Sequence, residues 1–291
     1  MKPAPFEYYA PATVEEALPL LGEYGYEAKI LAGGQSLIPM MNFRLAQPSV
    51  LIDINNLSEL FYIRPGDSGV CIGAMTRHCQ VERDTLVSER AALLYETMPK
   101  VATQQVRNRG TIGGSLAHAD PAAELGAVSI AMDSRFRIRN QKGERWVNAD
   151  DFFVGMYTTL LEPEELLVEI MFPSLPPRSG WSLVEVARRP HDFALVGVVA
   201  VVALDKNDRC THVRLVLLSV GDRPMVAHQA MKTLLGQTPS SGVIRVAAET
   251  AAKEDIDPGS DIHASAEFRR HLADVLTRRS LEQAFERAKA N

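Results

Sequence analysis

Two glycine pairs offer the clearest chemistry in this 291-residue sequence: Gly33-Gly34 in ILAGGQSLIPMM and Gly113-Gly114 in GTIGGSLAHADPAAE. A turn that leaves a strand and opens a helix exposes backbone amides with no partner inside the helix, and the positive end of the helix dipole stands behind them. Glycine permits positive φ there and lets an anion approach the main chain with no Cβ in the way. Ser36 and Ser115 place hydroxyls beside the two turns. One such turn suits a phosphate; two that converge suit a diphosphate, each serving part of it. Neither pair is the G-x-G-x-x-G of a dinucleotide-binding βαβ unit or the G-x-x-x-x-G-K-[ST] of a P-loop.

Other constellations carry less. GGSLA, Gly113 to Ala117, is one residue short of a G-x-S-x-G nucleophile elbow. Ser115 as nucleophile would need a base reached through the fold, and His118 lies only three residues along the chain. His118 is therefore expected at the surface or beside a ligand. His78 and Cys79 are adjacent with Cys71 nearby, but no second pair completes a tetrahedral metal site. The carboxylates Asp150, Asp151, Glu162, Glu164 and Glu165 flank FFVGMYTTLL and read as solvated turn residues. Arg269, Arg270, Arg278 and Arg279 read as the solvated face of a long C-terminal helix whose buried stripe is Phe268, Leu272, Val275 and Leu276.

The elements that must position the glycine turns follow from pattern. ATVEEALPLLGEYG predicts a helix with Thr13 as N-cap, Glu16 three residues on, an apolar face of Val14, Ala17, Leu18 and Leu21, and Gly25 past its end. AKIL and SVLIDI predict strands on either side of the first turn, with a short helix from Ser36 carrying Pro39 in its first turn. A small α/β lobe over residues 1–56 results. A second lobe, 57–175, takes GVCIGAMT, AVSIAMDSRFRIRN and LLVEIMF as strands, with helices over MTRHCQVERDTLV and ERAALLYETMPKVA. FPSLPPRSG marks a boundary. A third lobe, 176–291, begins with three β-branched runs that predict an antiparallel sheet and turns helical after Met225.

Composition agrees with a globular protein of several lobes: 46% hydrophobic, 23% charged and a net charge of −5. The charges are interspersed, so no basic stripe points to nucleic acid. The N-terminal residues lack the apolar stretch of a signal peptide and no run is long enough to span a bilayer, so a cytoplasmic location is expected. Three dispersed cysteines, Cys71, Cys79 and Cys210, fit neither a disulfide framework nor a four-thiolate cluster.

Four stretches carry a family resemblance: LAGGQSLIPMMNFRLAQP, VRNRGTIGGSLAHADPAAEL, DFFVGMYTTLLEPEELLVEIMFP and EVARRPHDFALVGVVAV. Together they resemble the FAD-binding medium subunit of the molybdenum hydroxylases, the family of the carbon monoxide dehydrogenase medium chain and the flavin domain of xanthine dehydrogenase. The likeness covers nearly the whole chain. It implies an α+β fold with a two-part FAD-binding region of the vanillyl-alcohol-oxidase (PCMH) type, a small α/β lobe plus a larger α+β lobe, followed by an antiparallel sheet with helices. It also implies that Ala32, Gly33, Gly34, Gln35, Ser36 and Leu37 form the first turn at the FAD pyrophosphate. Thr111, Gly113, Gly114, Ser115 and Ala117 belong to the second, and Val101 and Ala102 lie near the cofactor just before it.

By the same resemblance Glu124 serves the adenosine side, where a carboxylate can accept both ribose hydroxyls. Asp120 neighbours it, Leu167 packs near the cofactor, and Glu185 with Asp192 and Phe193 approaches the isoalloxazine. Many members of the family this sequence resembles have a basic residue near position 185 and a different aromatic or aliphatic residue at position 193. FAD is expected to be noncovalent, since neither turn offers a histidine or cysteine for flavinylation, and no residue of the chain is expected to act as general acid or base. The resemblance places [2Fe–2S] clusters on a small partner subunit and molybdopterin on a large one, with electrons passing through this chain to an external acceptor. The rival is a stand-alone flavin oxidase or dehydrogenase of related fold. Valine at Gly33 or Gly113 is expected to remove the cofactor and leave the fold mostly intact.

Overall fold

The structure is a computed structural model and describes residues 2–291. Its first sheet is parallel, in the order β1 (Glu7–Tyr9), β3 (Val50–Asp53), β2 (Ala28–Leu31), and α1 (Val14–Tyr24) covers it. The cap of α1 forms as its sequence dictates. Thr13 Oγ1 accepts from the Glu16 amide at 3.2 Å, and the Glu16 carboxylate accepts from Ala12 N at 2.8 Å. Val14, Ala17, Leu18 and Leu21 are buried. Between β2 and β3 lies the short α2 (Leu37–Asn42), so the first glycine pair sits at the C-terminal end of a parallel strand, where ligand clefts form in α/β sheets.

The second sheet is antiparallel, with β4 (Ile63–Gly66), β5 (Gly69–Gly73), β6 (Arg135–Asn140), β7 (Gly143–Asn148) and β10 (Leu166–Pro173) ordered β4-β5-β10-β6-β7. In place of the two long helices expected over 75–87 and 89–102 the chain makes three short ones, α3 (His78–Val81), α4 (Thr85–Arg90) and α5 (Ala92–Thr97), and a further turn of helix, α6 (Gln104–Arg107), follows them. Asp84 starts α4 by accepting from Val87 N, and Ala91, at φ −139° and ψ 52°, interrupts the run before α5. Then come α7 (Ile112–His118) and α8 (Glu124–Ala131). Residues 127–131, expected as strand, are the end of α8, all eight of whose residues are buried. A short fully apolar run has no polar face to report its period, which is why pattern alone misassigns it. A turn of helix, α9 (Ala149–Phe152), precedes the small hairpin β8 (Phe153–Gly155) and β9 (Thr158–Thr159).

The third sheet runs β11 (Ser179–Ala187), β12 (Ala194–Leu204), β13 (Cys210–Leu218), β14 (Met225–Val226), antiparallel throughout. It is backed by α10 (His228–Leu234), α11 (Ser241–Thr250) and α12 (Ala266–Ala290). Strand β12 is buried on both faces: Val198, Ala200 and Val202 pack toward these helices, while Val199 and Val201 join the core of the second sheet. The period of 2 thus welds the third sheet to the rest of the molecule. On α12 the buried stripe differs from expectation. Phe268 is 45% exposed, whereas Arg269 is 7% exposed and sits with Leu272, Ala273 and Leu276 on the inner face. No helix among the described residues is long and apolar enough to cross a membrane.

Candidate functional site

The two glycine segments touch. A Cβ placed on Gly33 would lie 2.5 Å from the Arg109 carbonyl oxygen and 2.8 Å from Gly110 Cα, and one on Gly114 would lie 3.4 Å from Ala32 Cβ. The loop after β2 is therefore seated on the segment entering α7, and only glycine at position 33 allows that approach. Arg77 fastens the junction, donating to the Arg109 carbonyl and to Asn55 Oδ1 at 2.6 Å, while Asn55 Nδ2 donates to the Ala32 carbonyl at 2.8 Å. Asp53 accepts from Tyr8 Oη at 2.7 Å and from the Asn55 amide at 2.9 Å. A cleft of about 400 Å³ opens here, lined by Ala32 to Gln35, Ile38, Asp53, Asn55 and Arg109.

The amides of the two segments differ in what they leave free. Among the described residues, those of Gly33 through Leu37 donate to no protein acceptor. Gly34 takes φ +72°, and Gln35 folds its side-chain amide back onto the Gly33 carbonyl at 3.1 Å. The second pair departs from expectation: it lies inside the first turn of α7, which starts at Ile112 with Thr111 as its N-cap. Ile112 N donates to Thr76 O (3.0 Å), Gly113 N to Ala74 O (2.9 Å), Gly114 N to Thr111 Oγ1 (3.1 Å) and Ser115 N to Thr111 O (3.0 Å). The first segment offers a row of open donors. The second offers a helix terminus and the Ser115 hydroxyl, which, like that of Ser36, has no partner among the described residues.

Gly113 serves packing. Its Cβ would meet Ala74 Cβ at 2.5 Å and Ala74 O at 2.8 Å. A valine at 113 or at 33 strikes main chain, so neither is a substitution that spares the fold.

The remaining expected residues gather by different means. Arg107, 6% exposed, donates to the carbonyls of Val101 (3.1 Å) and Ala102 (2.7 Å) and is held by the Glu82 carboxylate at 3.0 Å. It fixes Ala102 at φ +46°. Val101, Leu116 and Leu167 share one core with Ile112 and Leu125. Glu124 opens α8 and is 7% exposed; burial, helped by repulsion from Glu185 and Asp120, pushes its carboxyl up to about 7 against a hydrogen bond from its own backbone amide and the charge of Lys100. Burial likewise raises Glu185, one of whose oxygens is buried without a partner. Asp120 Oδ1 accepts from Ala122 N at 2.9 Å. Ala117 is exposed on α7, and Phe193 stands 68% exposed on the loop before β12.

Rival chemistries find no support. Among the described residues Ser115 makes no side-chain hydrogen bond, and His118 instead packs on Tyr157 with centroids 5.0 Å apart. No group of three His, Cys, Asp or Glu side chains could hold a metal ion among the described residues. The residues that pattern missed are Asp53, Asn55, Arg77, Arg107 and Arg109. For Asp53 and Asn55 the signal was present as polar residues directly after an apolar strand, DINN, and for Arg107 and Arg109 as polar residues directly before a glycine segment, VRNRG; Arg77 has no such signal.

Comparison with known proteins decides the family. Residues 4–175 match the model of the FAD binding domain in molybdopterin dehydrogenase, and residues 181–284 match the CO dehydrogenase flavoprotein C-terminal domain. The chain belongs to the FAD-binding subunits of this family. It is 40% identical over 289 residues to the 6-hydroxypseudooxynicotine dehydrogenase complex subunit alpha of Paenarthrobacter nicotinovorans, covering 99% of this chain and 97% of the relative. It is 36% identical to the caffeine dehydrogenase subunit beta of a Pseudomonas species, covering 99% and 97%. A solved structure of the carbon monoxide dehydrogenase of Hydrogenophaga pseudoflava, lacking the Mo-pyranopterin moiety of its cofactor, superposes with a TM-score of 0.95 at 40% identity, with 99% of each chain covered.

FAD, the cofactor of the family, suits what this chain presents. A run of unpaired amides from Gly33 to Leu37 matches the acceptor oxygens of a diphosphate. Arg109 lines the same cleft, and its guanidinium donates to no protein acceptor among the described residues. Glu124 is a buried carboxyl whose own backbone amide and Lys100 only partly offset the burial of its charge, so added donors such as ribose hydroxyls would favour its ionised form.

Proposed function

We propose that this chain is the electron-transfer subunit of a heteromeric molybdenum hydroxylase, holding one noncovalent FAD and passing electrons from iron–sulfur clusters on a small partner to an external acceptor. The observation that carries the reading is the junction of Gly33 with Arg109 and Gly110, which brings a row of free amides against the start of α7. Bound FAD would supply the exchange between one-electron carriers and a two-electron acceptor. The chain's own residues bind and orient. Amides 33–37 and Arg109 take the diphosphate, Glu124 the ribose, and the Val101–Ala102 segment held by Arg107 walls the cofactor. Phe193 covers the flavin. Three dispersed cysteines cannot supply the four thiolates of a [2Fe–2S] cluster, so the clusters belong to a partner, with molybdopterin on a large subunit.

Native mass spectrometry of the protein drawn from its source tests the assembly: the expected mass includes FAD and two companion chains. A flavin-loaded chain that turns over an organic substrate with no companion would support the stand-alone oxidase instead. At the cleft, Arg109→Gln is expected to weaken FAD binding about tenfold at low salt and to flatten its salt dependence, because a guanidinium–phosphate pair is both strong and screened. Titration by flavin fluorescence at two ionic strengths reads both. Equal affinities and equal salt slopes would remove Arg109 from the site.

A further inference from the structure

The loop that carries Phe193 is anchored only at its base. Residues 188–193 are all exposed, and among the described residues their one hydrogen bond is the turn from Asp192 N to Arg189 O. A β-bulge between Val186 and Ala187 re-aims the loop as it leaves β11. Its return into β12 is tied down by two carbonyls. Ala194 O accepts from Ser219 Oγ at 2.7 Å, and Leu195 O accepts from Arg269 Nη1 at 2.5 Å.

Both ties converge on Ser219. Its carbonyl accepts from Arg269 Nη1 at 2.9 Å, and its amide donates to Pro121 O at 2.9 Å, in the segment between α7 and α8 that holds Asp120 and leads into Glu124. Ser219 takes φ +63°, which lets its amide and hydroxyl reach two different chain segments. Arg269 donates from its other terminal nitrogen, Nη2, to Asp261 at 2.8 Å. A buried guanidinium with three acceptors from three segments is a geometric fixture, since its planar fork cannot satisfy them in another arrangement.

We propose that Arg269 and Ser219 form a clamp that sets Phe193 against the Asp120–Glu124 segment and thereby positions the aromatic cover of the cofactor. This rests on the reading that Phe193 meets the flavin. Arg269 is a positioning residue: it lies on α12, in the third lobe, and acts through the β12 backbone. The clamp gives the C-terminal helices a direct hold on the flavin environment.

The test uses full-length FAD-loaded protein and the variants Phe193→Ala, Ser219→Ala, Arg269→Gln and Phe193→Ala/Ser219→Ala, read by FAD titration and by the visible circular dichroism of bound flavin. Ser219→Ala removes one hydrogen bond and guards against an Arg269→Gln protein that fails to fold. Ser219→Ala is expected to raise the FAD dissociation constant about fivefold and to change the flavin dichroism in the sense of Phe193→Ala. In the Phe193→Ala background it is expected to add nothing, because both changes act through one side chain. Additive effects, or a Ser219→Ala protein with wild-type flavin signals while Phe193→Ala alters them, would overturn the clamp alone. Wild-type flavin signals in Phe193→Ala would overturn the placement of Phe193 and the clamp with it. A wild-type chain that takes up no FAD would overturn the functional reading itself.

Discussion

Gly33→Ala is expected to abolish FAD binding at micromolar concentration and to lower the stability of the cofactor-free protein by about 2 kcal/mol, in the range of overpacked sites. The methyl group would begin 2.5 Å from the Arg109 carbonyl oxygen and 2.8 Å from Gly110 Cα, both main chain, so the first loop must lift away from the start of α7. Lifting it moves five donor amides together, and losing even two charge-assisted hydrogen bonds corresponds to roughly a hundredfold in affinity. Gly34→Ala is the matched control. Its backbone strain at φ +72° costs about 1 kcal/mol, but its Cβ would meet only the Ile38 and Leu31 side-chain tips at 3.2 Å, which can move. Gly33→Ala should therefore be the more damaging of the two in both melting temperature and FAD titration. The reverse order, or a Gly33→Ala protein that retains flavin, would show that the contact between loops does not organise the site.

How much of this was legible beforehand depends on what kind of signal each part emits. The helix α1, the strands beside the first glycine pair and the three long strands of the third sheet were readable, because caps and alternation are local. The strand β1 was not, since a three-residue EYY segment gains its identity only by pairing with β3. Residues 33–37 were identified as a donor row and remain one. The second glycine pair was identified for a reason that the structure replaces: its amides are consumed by Thr76, Ala74 and Thr111, and Gly113 is small because α7 lies on Ala74. A sequence cannot distinguish a glycine that admits a ligand from one that admits another segment of the same chain. The same limit hid Arg269, whose buried guanidinium looks in sequence like any solvated arginine. Two of its partners are the carbonyls of Leu195 and Ser219, and carbonyls have no sequence signature.

Glu124→Gln is expected to stabilise the cofactor-free protein and to weaken its hold on FAD, with both effects tied to pH. An ordinary Glu releases its proton near 4.5; burial, with Glu185 and Asp120 nearby, pushes Glu124 up to about 7. The folded chain thus keeps a proton that the unfolded chain gives up, so this site's contribution to stability is whole below pH 4.5 and is lost as pH rises through 7. The loss approaches about 3 kcal/mol above that pH. Glutamine carries no charge to bury, so Glu124→Gln should melt higher than wild type at pH 8 and close to it at pH 5. Ribose hydroxyls prefer an ionised acceptor, so wild-type affinity for FAD should rise with pH through 7, while the variant's should stay flat and fall about tenfold short at pH 8. Thermal melts of apo-protein and FAD titrations at the two pH values separate the cases. The same melting shift at both pH values would mean that Glu124 is not the titrating group, and an undiminished affinity at pH 8 would mean that it does not touch the cofactor. The opposing signs are what a binding site requires of a buried carboxyl: burial penalises the charge in the empty protein more than its own backbone amide and Lys100 offset, and the ligand's donors relieve that penalty.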